Sequence, residues 1–171
     1  MQSIERRIRV IPDFPKPGIQ FRDITPVLSD PEALSRGIVA LADPFRDQRV
    51  THVAGMEARG FIFGTLVARE LGVGFVPLRK PGKLPYEVHR VDYALEYGTA
   101  GLEVHSDAVT QGDRILIVDD LLATGGTAQA ACQLIEKLGA EIVACAFLIE
   151  LEGLGGKEKI QPVPCHVVLS Y

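Results

Sequence analysis

Hydrophobic residues along the chain follow two patterns, short continuous runs and helical repeats. The fully apolar run at residues 115–118 is typical of a central parallel strand that is covered on both faces. Residues 126–138 instead carry apolar side chains at helical spacing, namely Ala128, Ala131, Ile135 and Leu138. Because strand and helix patterns alternate along the sequence, we predict an α/β fold with a mainly parallel central sheet flanked by helices.

The same patterns predict the remaining elements. Further strands are expected at residues 50–54, 74–78, 142–149 and 167–169, and further helices at residues 3–11, 30–44 and 61–71. Asp30 has the character of an N-cap, with Pro31 at the first helical position. The polar segment 79–92 has few groups to bury and predicts a mobile loop. Alternation around Gly98 predicts a β-hairpin at residues 93–105.

Composition narrows the classes of protein to consider. With 171 residues, 47% hydrophobic and 23% charged, residues 1–171 are expected to form one ordered domain. A net charge of −4 argues against a main role in binding nucleic acid through a basic face. The three cysteines form no CxxC motif, which favours reduced thiols over a disulfide framework or zinc site. No signal peptide or membrane span is expected, so we predict a cytoplasmic protein.

The segment at residues 115–127 carries the clearest chemistry. It consists of a buried strand, two carboxylates, and a loop of small residues that enters a helix. Gly125 and Gly126 allow backbone N–H groups to approach an anion closely, while Thr124 and Thr127 add hydroxyl donors. The loop lacks the GxxxxGK[ST] and GxGxxG patterns. Without the lysine of a triphosphate loop, it fits a terminal monophosphate better.

Asp119 and Asp120 are adjacent at the end of the apolar run. In an extended chain they point to opposite faces, and such carboxylates are costly unless something donates hydrogen bonds to them. One interpretation is that one of them caps the next turn and the other is solvated. The other is that both accept hydrogen bonds from the hydroxyls of a ribose whose 5′-phosphate lies in the loop at residues 123–127.

Residues 118–127 resemble the motif with which type I phosphoribosyltransferases bind phosphoribosyl pyrophosphate (PRPP). The form Asp-Asp-Leu-Leu-Ala-Thr-Gly-Gly-Thr is similar to that of the adenine-specific members, and the similarity extends over residues 5–170. The resemblance implies a pentosyltransferase of purine salvage that converts adenine and PRPP to AMP and pyrophosphate. It also implies an N-terminal hood that binds the base, residues 1–30, and a flexible catalytic loop with its hairpin, residues 79–105.

By resemblance, the 5′-phosphate and ribose are bound by Asp119, Asp120, Ala123, Thr124, Gly125, Gly126 and Thr127. By the same resemblance, pyrophosphate is bound by Glu57, Ala58, Arg59, Gly60, Lys80 and Lys83. Arg59 offers a planar fork of donors that suits pyrophosphate oxygens, and the family also implies a cis peptide between Glu57 and Ala58. Without the family match, Arg59 equally fits a surface arginine and the lysines a solvated basic turn.

The base is expected at the N-terminal segment. The resemblance implies that Phe21 covers one face of adenine while backbone groups near Gln20 and Arg22 read its edge. It assigns Glu96, together with Arg59, a catalytic role, with Glu96 handling the proton at adenine N7. From the residues alone, Glu96 also fits an exposed hairpin carboxylate and Phe21 an ordinary core residue.

The implied cofactor is Mg²⁺, held mainly through PRPP and water with no direct protein ligand assigned. The expected partners are adenine, PRPP, AMP, pyrophosphate and a second copy of the chain in a homodimer, with no nucleic acid and no membrane. Two alternatives remain at this point. One is a phosphoribosyltransferase for another purine base, and the other is a non-catalytic PRPP-sensing regulator, although no added DNA-binding helix pair is evident in the sequence.

Overall fold

A computed structural model describes residues 2–94 and 98–171 of the chain. Its strands are β1 (Arg9–Pro12), β2 (Gln20–Asp23), β3 (His52–Met56), β4 (Gly74–Leu78), β5 (Val88–Ala94), β6 (Thr99–His105), β7 (Arg114–Leu122), β8 (Glu141–Glu150) and β9 (Cys165–Ser170). Its helices are α1 (Gln2–Glu5), α2 (Thr25–Ser29), α3 (Pro31–Ala42), α4 (Arg59–Leu71), α5 (Gly126–Lys137) and α6 (Gly156–Lys159). A short 3-10 turn, Asp43–Phe45, follows α3.

The core is a five-stranded parallel sheet in the order β4-β3-β7-β8-β9. Two antiparallel pairs, β1-β2 and β5-β6, lie outside it. The α/β class with a central parallel sheet flanked by helices is therefore confirmed. Among the described residues, no helix is both long and apolar enough to cross a bilayer.

Strand β7 shows why the sheet is covered on both faces. Ile115 and Ile117 pack with α5 and the β5-β6 hairpin, whereas Leu116 and Val118 pack with α3 and α4. All four side chains are fully buried. Successive strand residues point to opposite faces, so a continuous apolar run is what a doubly covered strand requires.

The start of α3 follows the predicted capping chemistry. The Asp30 carboxylate accepts hydrogen bonds from the backbone N–H groups of Glu32 and Ala33, each at 3.0 Å, and Pro31 opens the helix. These bonds satisfy donors that the first helical turn would otherwise leave unpaired. The prediction of a helix from this point is confirmed, with its end at Ala42.

Three predictions from the sequence need correction. The helix expected at residues 3–11 ends at Glu5, because Arg9–Pro12 pairs as β1 with β2. The loop expected at residues 79–92 is too long, because Val88 begins β5 and Val91 is buried against the core. Strand β7 continues to Leu122, so the two aspartates lie within the strand and not after it. In each case a pairing with a distant segment overrides the local pattern.

Candidate active site

The main cavity, of about 380 Å³, lies at the carboxyl ends of β3 and β7. Ligands of open parallel sheets bind at this edge. The predicted residues that line it are Glu57, Arg59, Lys80, Asp119, Asp120, Ala123, Thr124, Gly125, Gly126 and Thr127. Segments far apart in the sequence thus meet around one space. Ala58, Gly60 and Lys83 are not among the described residues that line it.

The loop at residues 123–127 is built as an anion cradle. Gly125 has a φ of 76°, and a Cβ added there would lie 2.7 Å from the Gly156 carbonyl oxygen, so the position requires glycine. Helix α5 begins at the next residue, and no side chain in the described ranges caps it. Its first N–H groups are therefore available to a ligand, with the positive end of the helix dipole behind them.

The two aspartates have different environments. Asp120 is 4% exposed and accepts a hydrogen bond from Arg59 Nε at 2.5 Å, so it is neither a solvated carboxylate nor a helix cap. Asp119 accepts a bond from the Asp120 backbone N–H at 2.8 Å. Desolvation, reinforced by the neighbouring Asp120 charge, raises the pKa of Asp119 well above its usual range. The bond from the Asp120 backbone N–H and the charge of Arg59 act the other way but do not offset these effects.

Gly60 allows this arrangement to be compact. A Cβ at this residue would lie 2.8 Å from Asp119 Oδ1 and 2.9 Å from the Val118 carbonyl oxygen. The first turn of α4 can therefore approach β7 directly. Arg59, the first residue of α4, extends from this turn to Asp120, and its side chain remains 54% exposed.

Glu57 connects β3 to the basic turn that follows β4. The peptide bond between Glu57 and Ala58 is cis, as expected. The Glu57 carboxylate accepts hydrogen bonds from the Lys80 backbone N–H at 2.9 Å and from the Lys83 ammonium group. Burial acts against ionisation, but these bonds outweigh it and lower the pKa of Glu57. Lys83 is thus engaged with Glu57, whereas Lys80 lines the cavity.

A second cavity, of about 370 Å³, lies between the β1-β2 pair and α2. Its lining includes Phe21, Arg22 and also Arg59, so the two cavities meet at the Arg59 side chain. The Phe21 ring stands edge-to-face with Phe14, with 5.1 Å between ring centroids. Phe21 is half-buried at a cavity wall and not in the core. Gln20, at the start of β2, is not among the described residues lining this cavity.

Asp23 anchors the wall of the second cavity. It accepts hydrogen bonds from the Thr25 hydroxyl at 2.6 Å, the Thr25 backbone N–H at 2.9 Å and Arg9 Nε at 2.9 Å. These bonds, led by the Thr25 hydroxyl, lower the pKa of Asp23 to about 2. Sequence reasoning missed this residue, although the Asp-Ile-Thr spacing is a signal for such a turn.

Two further residues remain to be considered, one predicted from the sequence and one that the sequence did not indicate. Glu96 lies outside the described residues, so its catalytic role stays a prediction. Tyr93 lines the main cavity and places its hydroxyl 3.2 Å from Thr127 Oγ1. From the sequence Tyr93 reads only as an aromatic strand residue, and its neighbour 34 positions away could not be anticipated.

Comparisons with known proteins show the family to which the chain belongs. Residues 27–166 match the model of the phosphoribosyl transferase domain family. The chain is 63% identical to the adenine phosphoribosyltransferase of Methylococcus capsulatus, over 100% of both chains. The crystal structure of adenine phosphoribosyltransferase from Rhodothermus marinus superposes with a TM-score of 0.93 at 54% identity, covering 99% of this chain and 97% of that one. The crystal structure of the Saccharomyces cerevisiae enzyme, complexed with an imino-altritol bisphosphate and adenine, superposes with a TM-score of 0.93 at 38% identity. It covers 98% of this chain and 97% of that one.

Proposed function

This chain belongs to the adenine phosphoribosyltransferases, and from that premise we propose how its two cavities serve the reaction. The reaction joins adenine to the ribose of PRPP and gives AMP and pyrophosphate, a step of purine salvage. One observation supports the proposal above all. The uncapped start of α5 and the carboxylates of Asp119 and Asp120 line the main cavity, and this cavity meets the aromatic second cavity at Arg59.

The main cavity takes the sugar phosphate. The 5′-phosphate accepts hydrogen bonds from the loop at residues 123–127, which includes Ala123, Thr124, Gly125, Gly126 and Thr127. The ribose hydroxyls donate to Asp119 and Asp120. Burial and the Asp120 charge disfavour the ionised form of Asp119 in the free protein, and a ribose hydroxyl would add a donor that stabilises it.

Pyrophosphate lies on the other wall of the main cavity. Arg59 and Lys80 face it directly, while backbone N–H groups at Ala58 and Gly60 are further donors. Glu57 is itself negative and already holds Lys83 and the Lys80 backbone, so its role is to position these cations. Lys83 reaches pyrophosphate only by leaving Glu57, whereas Arg59 can use its Nη donors while Nε stays bonded to Asp120.

The second cavity takes adenine as part of the N-terminal hood, residues 1–30. Phe21 covers one face of the base, and backbone groups of Gln20 and Arg22 read its edge. A purine with a 6-oxo group would leave these groups unpaired and is therefore disfavoured. Glu96, on the loop and hairpin at residues 79–105, handles the proton at N7 when this segment closes and excludes water.

The chemistry is displacement of pyrophosphate at the anomeric carbon by a purine nitrogen. Positive charge grows on the ribose while negative charge grows on the leaving group. Arg59 and Lys80 stabilise the leaving group, and the Asp119–Asp120 pair fixes the ribose and faces its positive charge. The site thus contributes positioning, neutralisation of charge and control of one proton.

A magnesium ion fits this site as a companion of the substrate. Within residues 2–94 and 98–171, no three Asp, Glu, His or Cys side chains are grouped to hold a metal on their own. The carboxylates of Asp119 and Asp120 line the cavity and would hold such a cation together with the substrate, because Mg²⁺ prefers oxygen ligands and keeps several of its waters. When bound, Mg²⁺ neutralises charge on the pyrophosphate.

The cytoplasm and a homodimer complete the proposal. We infer both from the resemblance of this chain to its family. Light scattering of the purified chain would measure twice the monomer mass. A monomer at working concentrations would remove the dimer without affecting the chemistry proposed for the site.

The function is tested by AMP formation from adenine, PRPP and Mg²⁺, with hypoxanthine, guanine and orotate as competing bases. We expect kcat/KM for adenine to exceed that of the 6-oxo purines by roughly 100-fold or more. Preference for a 6-oxo purine would assign the site to another purine base. Binding of PRPP with no turnover of any base would favour a PRPP-sensing regulator.

A further inference from the structure

Tyr93 brings the hairpin into contact with the phosphate loop. It is the penultimate residue of β5 and pairs with Ala100 of β6. Its half-buried ring lines the main cavity, and its hydroxyl lies 3.2 Å from Thr127 Oγ1. A phenolic hydroxyl therefore stands behind a threonine that belongs to the proposed phosphate cradle.

We propose that Tyr93 is a positioning residue for the 5′-phosphate, because its hydroxyl turns the Thr127 hydroxyl toward that phosphate. The inference rests on the proposed function, since it needs a phosphate at residues 123–127. It assigns to the hairpin a part in binding the end of the substrate farthest from the base, a role separate from that of Glu96.

The role of Tyr93 follows from the number of protons that the two hydroxyls can donate. A hydroxyl has one proton and two lone pairs, and a phosphate in this cradle offers mainly acceptors. In the free protein Thr127 donates to the Tyr93 oxygen. When phosphate binds, the Thr127 proton is needed there, and Tyr93 donates in turn to Thr127 Oγ1. The chain from Tyr93 through Thr127 to the phosphate ends on a charge, which strengthens each bond.

The position of the bond between Tyr93 and Thr127 distinguishes it from a bond that only holds β5 against α5. Strand β5 is bonded to α5 near both ends of the helix, because Lys137 Nζ also donates to the Arg90 carbonyl oxygen at 3.0 Å. Of these two bonds, only the one between Thr127 and Tyr93 lies at the phosphate loop. A purely structural role would be shared by both bonds, whereas phosphate positioning would be confined to Tyr93.

The test compares Tyr93→Phe with the matched control Lys137→Met, which breaks the other bond between β5 and α5. Calorimetry on the full chain would measure the Kd of AMP, ribose 5-phosphate and adenine. For Tyr93→Phe we expect AMP and ribose 5-phosphate to bind about tenfold more weakly and the KM for PRPP to rise similarly. Adenine affinity and kcat should change less than about threefold. Lys137→Met should bind all three ligands as the wild type does.

A double-mutant cycle tests whether Tyr93 acts through Thr127. In a Thr127→Val background, Tyr93→Phe should raise the Kd of ribose 5-phosphate by less than about a further twofold. In a Thr127→Ser background, which keeps the hydroxyl, Tyr93→Phe should retain its full effect on this Kd. Three results would each overturn this inference but not the proposed function. They are unchanged affinity of Tyr93→Phe for ribose 5-phosphate, a loss of adenine affinity equal to the loss for ribose 5-phosphate, and full additivity of Tyr93→Phe with Thr127→Val. A wild-type chain that fails to bind ribose 5-phosphate would overturn the proposed function with it.

Discussion

Strand β7 has charged residues at both of its ends, and the two ends use them differently. At the amino end, Asp113 accepts hydrogen bonds from the Thr110 backbone N–H at 2.8 Å and the Thr51 hydroxyl at 2.9 Å. These bonds, led by the one from Thr110, lower the pKa of Asp113. Arg114 forms an ion pair with Glu141. Each charge at this end is stabilised by a partner within the fold.

At the carboxyl end, the partners are themselves residues proposed to bind the substrate. Arg59 bonds to Asp120, and Lys83 bonds to Glu57, around the main cavity. Asp119 has a raised pKa because burial and the Asp120 charge both disfavour its ionised form. The fold alone therefore does not fully stabilise the charged side chains at this end.

The difference shows how the same residue types can serve stability or binding. An aspartate with enough donors contributes to stability. An aspartate whose charge is disfavoured by burial and by a like charge lowers the stability of the free protein and gains when a ligand supplies donors. Residues at functional sites commonly carry this kind of cost. Matched substitutions at the two ends of β7 should therefore have effects on stability and on catalysis that differ in kind.

The largest effect is expected for Arg59→Gln. This change removes a cation from the pyrophosphate wall, and we expect kcat/KM for PRPP to fall roughly 1,000-fold. The matched change at the other end, Arg114→Gln, removes a partly exposed ion pair and should leave kcat/KM within about twofold. Initial rates of AMP formation measure both. Comparable losses in the two variants would show that the ends of β7 are not functionally distinct.

Asp119→Asn should separate binding from stability. The amide oxygen still accepts from the Asp120 backbone N–H, but the buried charge beside Asp120 is lost. We expect the KM for PRPP to rise roughly 30-fold, because a charged acceptor for the ribose is replaced by a neutral one. We expect Tm of the free protein to rise by on the order of 2 °C. A fall in Tm would mean that the Asp119 charge is already satisfied without a ligand.

Asp113→Asn should give the opposite result. Its charge is stabilised by Thr110 and Thr51, so its loss should lower Tm by about 3 °C. Because Asp113 is at the edge of the sheet away from the cavity, kcat and the KM values should stay within about twofold. Thermal unfolding and steady-state kinetics on the same samples provide the measurement. Impaired PRPP binding with an unchanged Tm would reverse the roles assigned to the two ends.

The parts that could be predicted from the sequence are the parts encoded locally. Strand β7, the loop at residues 123–127 and helix α5 follow one another in a single segment, so their pattern and chemistry could be interpreted together. The Asp30 cap is equally local, since its acceptor and donors lie within three residues. For such features, periodicity and hydrogen-bonding capacity are sufficient.

The parts that could not be predicted depend on contacts between distant segments. The local pattern predicts helix at residues 9–11 of β1, because only the pairing with β2 selects the extended form. The bond from Lys83 to Glu57 spans 26 positions, and that from Thr127 to Tyr93 spans 34. No pattern in a single segment indicates such a partner. The assignment of Glu57 to the pyrophosphate wall stays a prediction, to which the structure adds the bonds from the Lys80 backbone N–H and the Lys83 ammonium group.

The smallest expected effect concerns pH and distinguishes the two aspartates by the sign of their pKa shifts. Asp113 has a lowered pKa in the folded protein, so its stabilising effect is full above the unfolded value of about 4 and disappears as pH falls through the folded pKa. Asp119 has a raised pKa, so its destabilising effect is full only above that folded pKa and declines from there toward about 4.

Measured as the difference in Tm from wild type, the two variants should therefore respond to acid over different ranges. The deficit of Asp113→Asn should persist down to about pH 4 and close below it, whereas the gain of Asp119→Asn should already shrink above about pH 4. His52 Nδ1 lies 3.5 Å from Asp113, so each variant is compared with wild type at the same pH. If both differences closed over the same range, the two carboxylates would share one environment, and the contrast between the ends of β7 would fail.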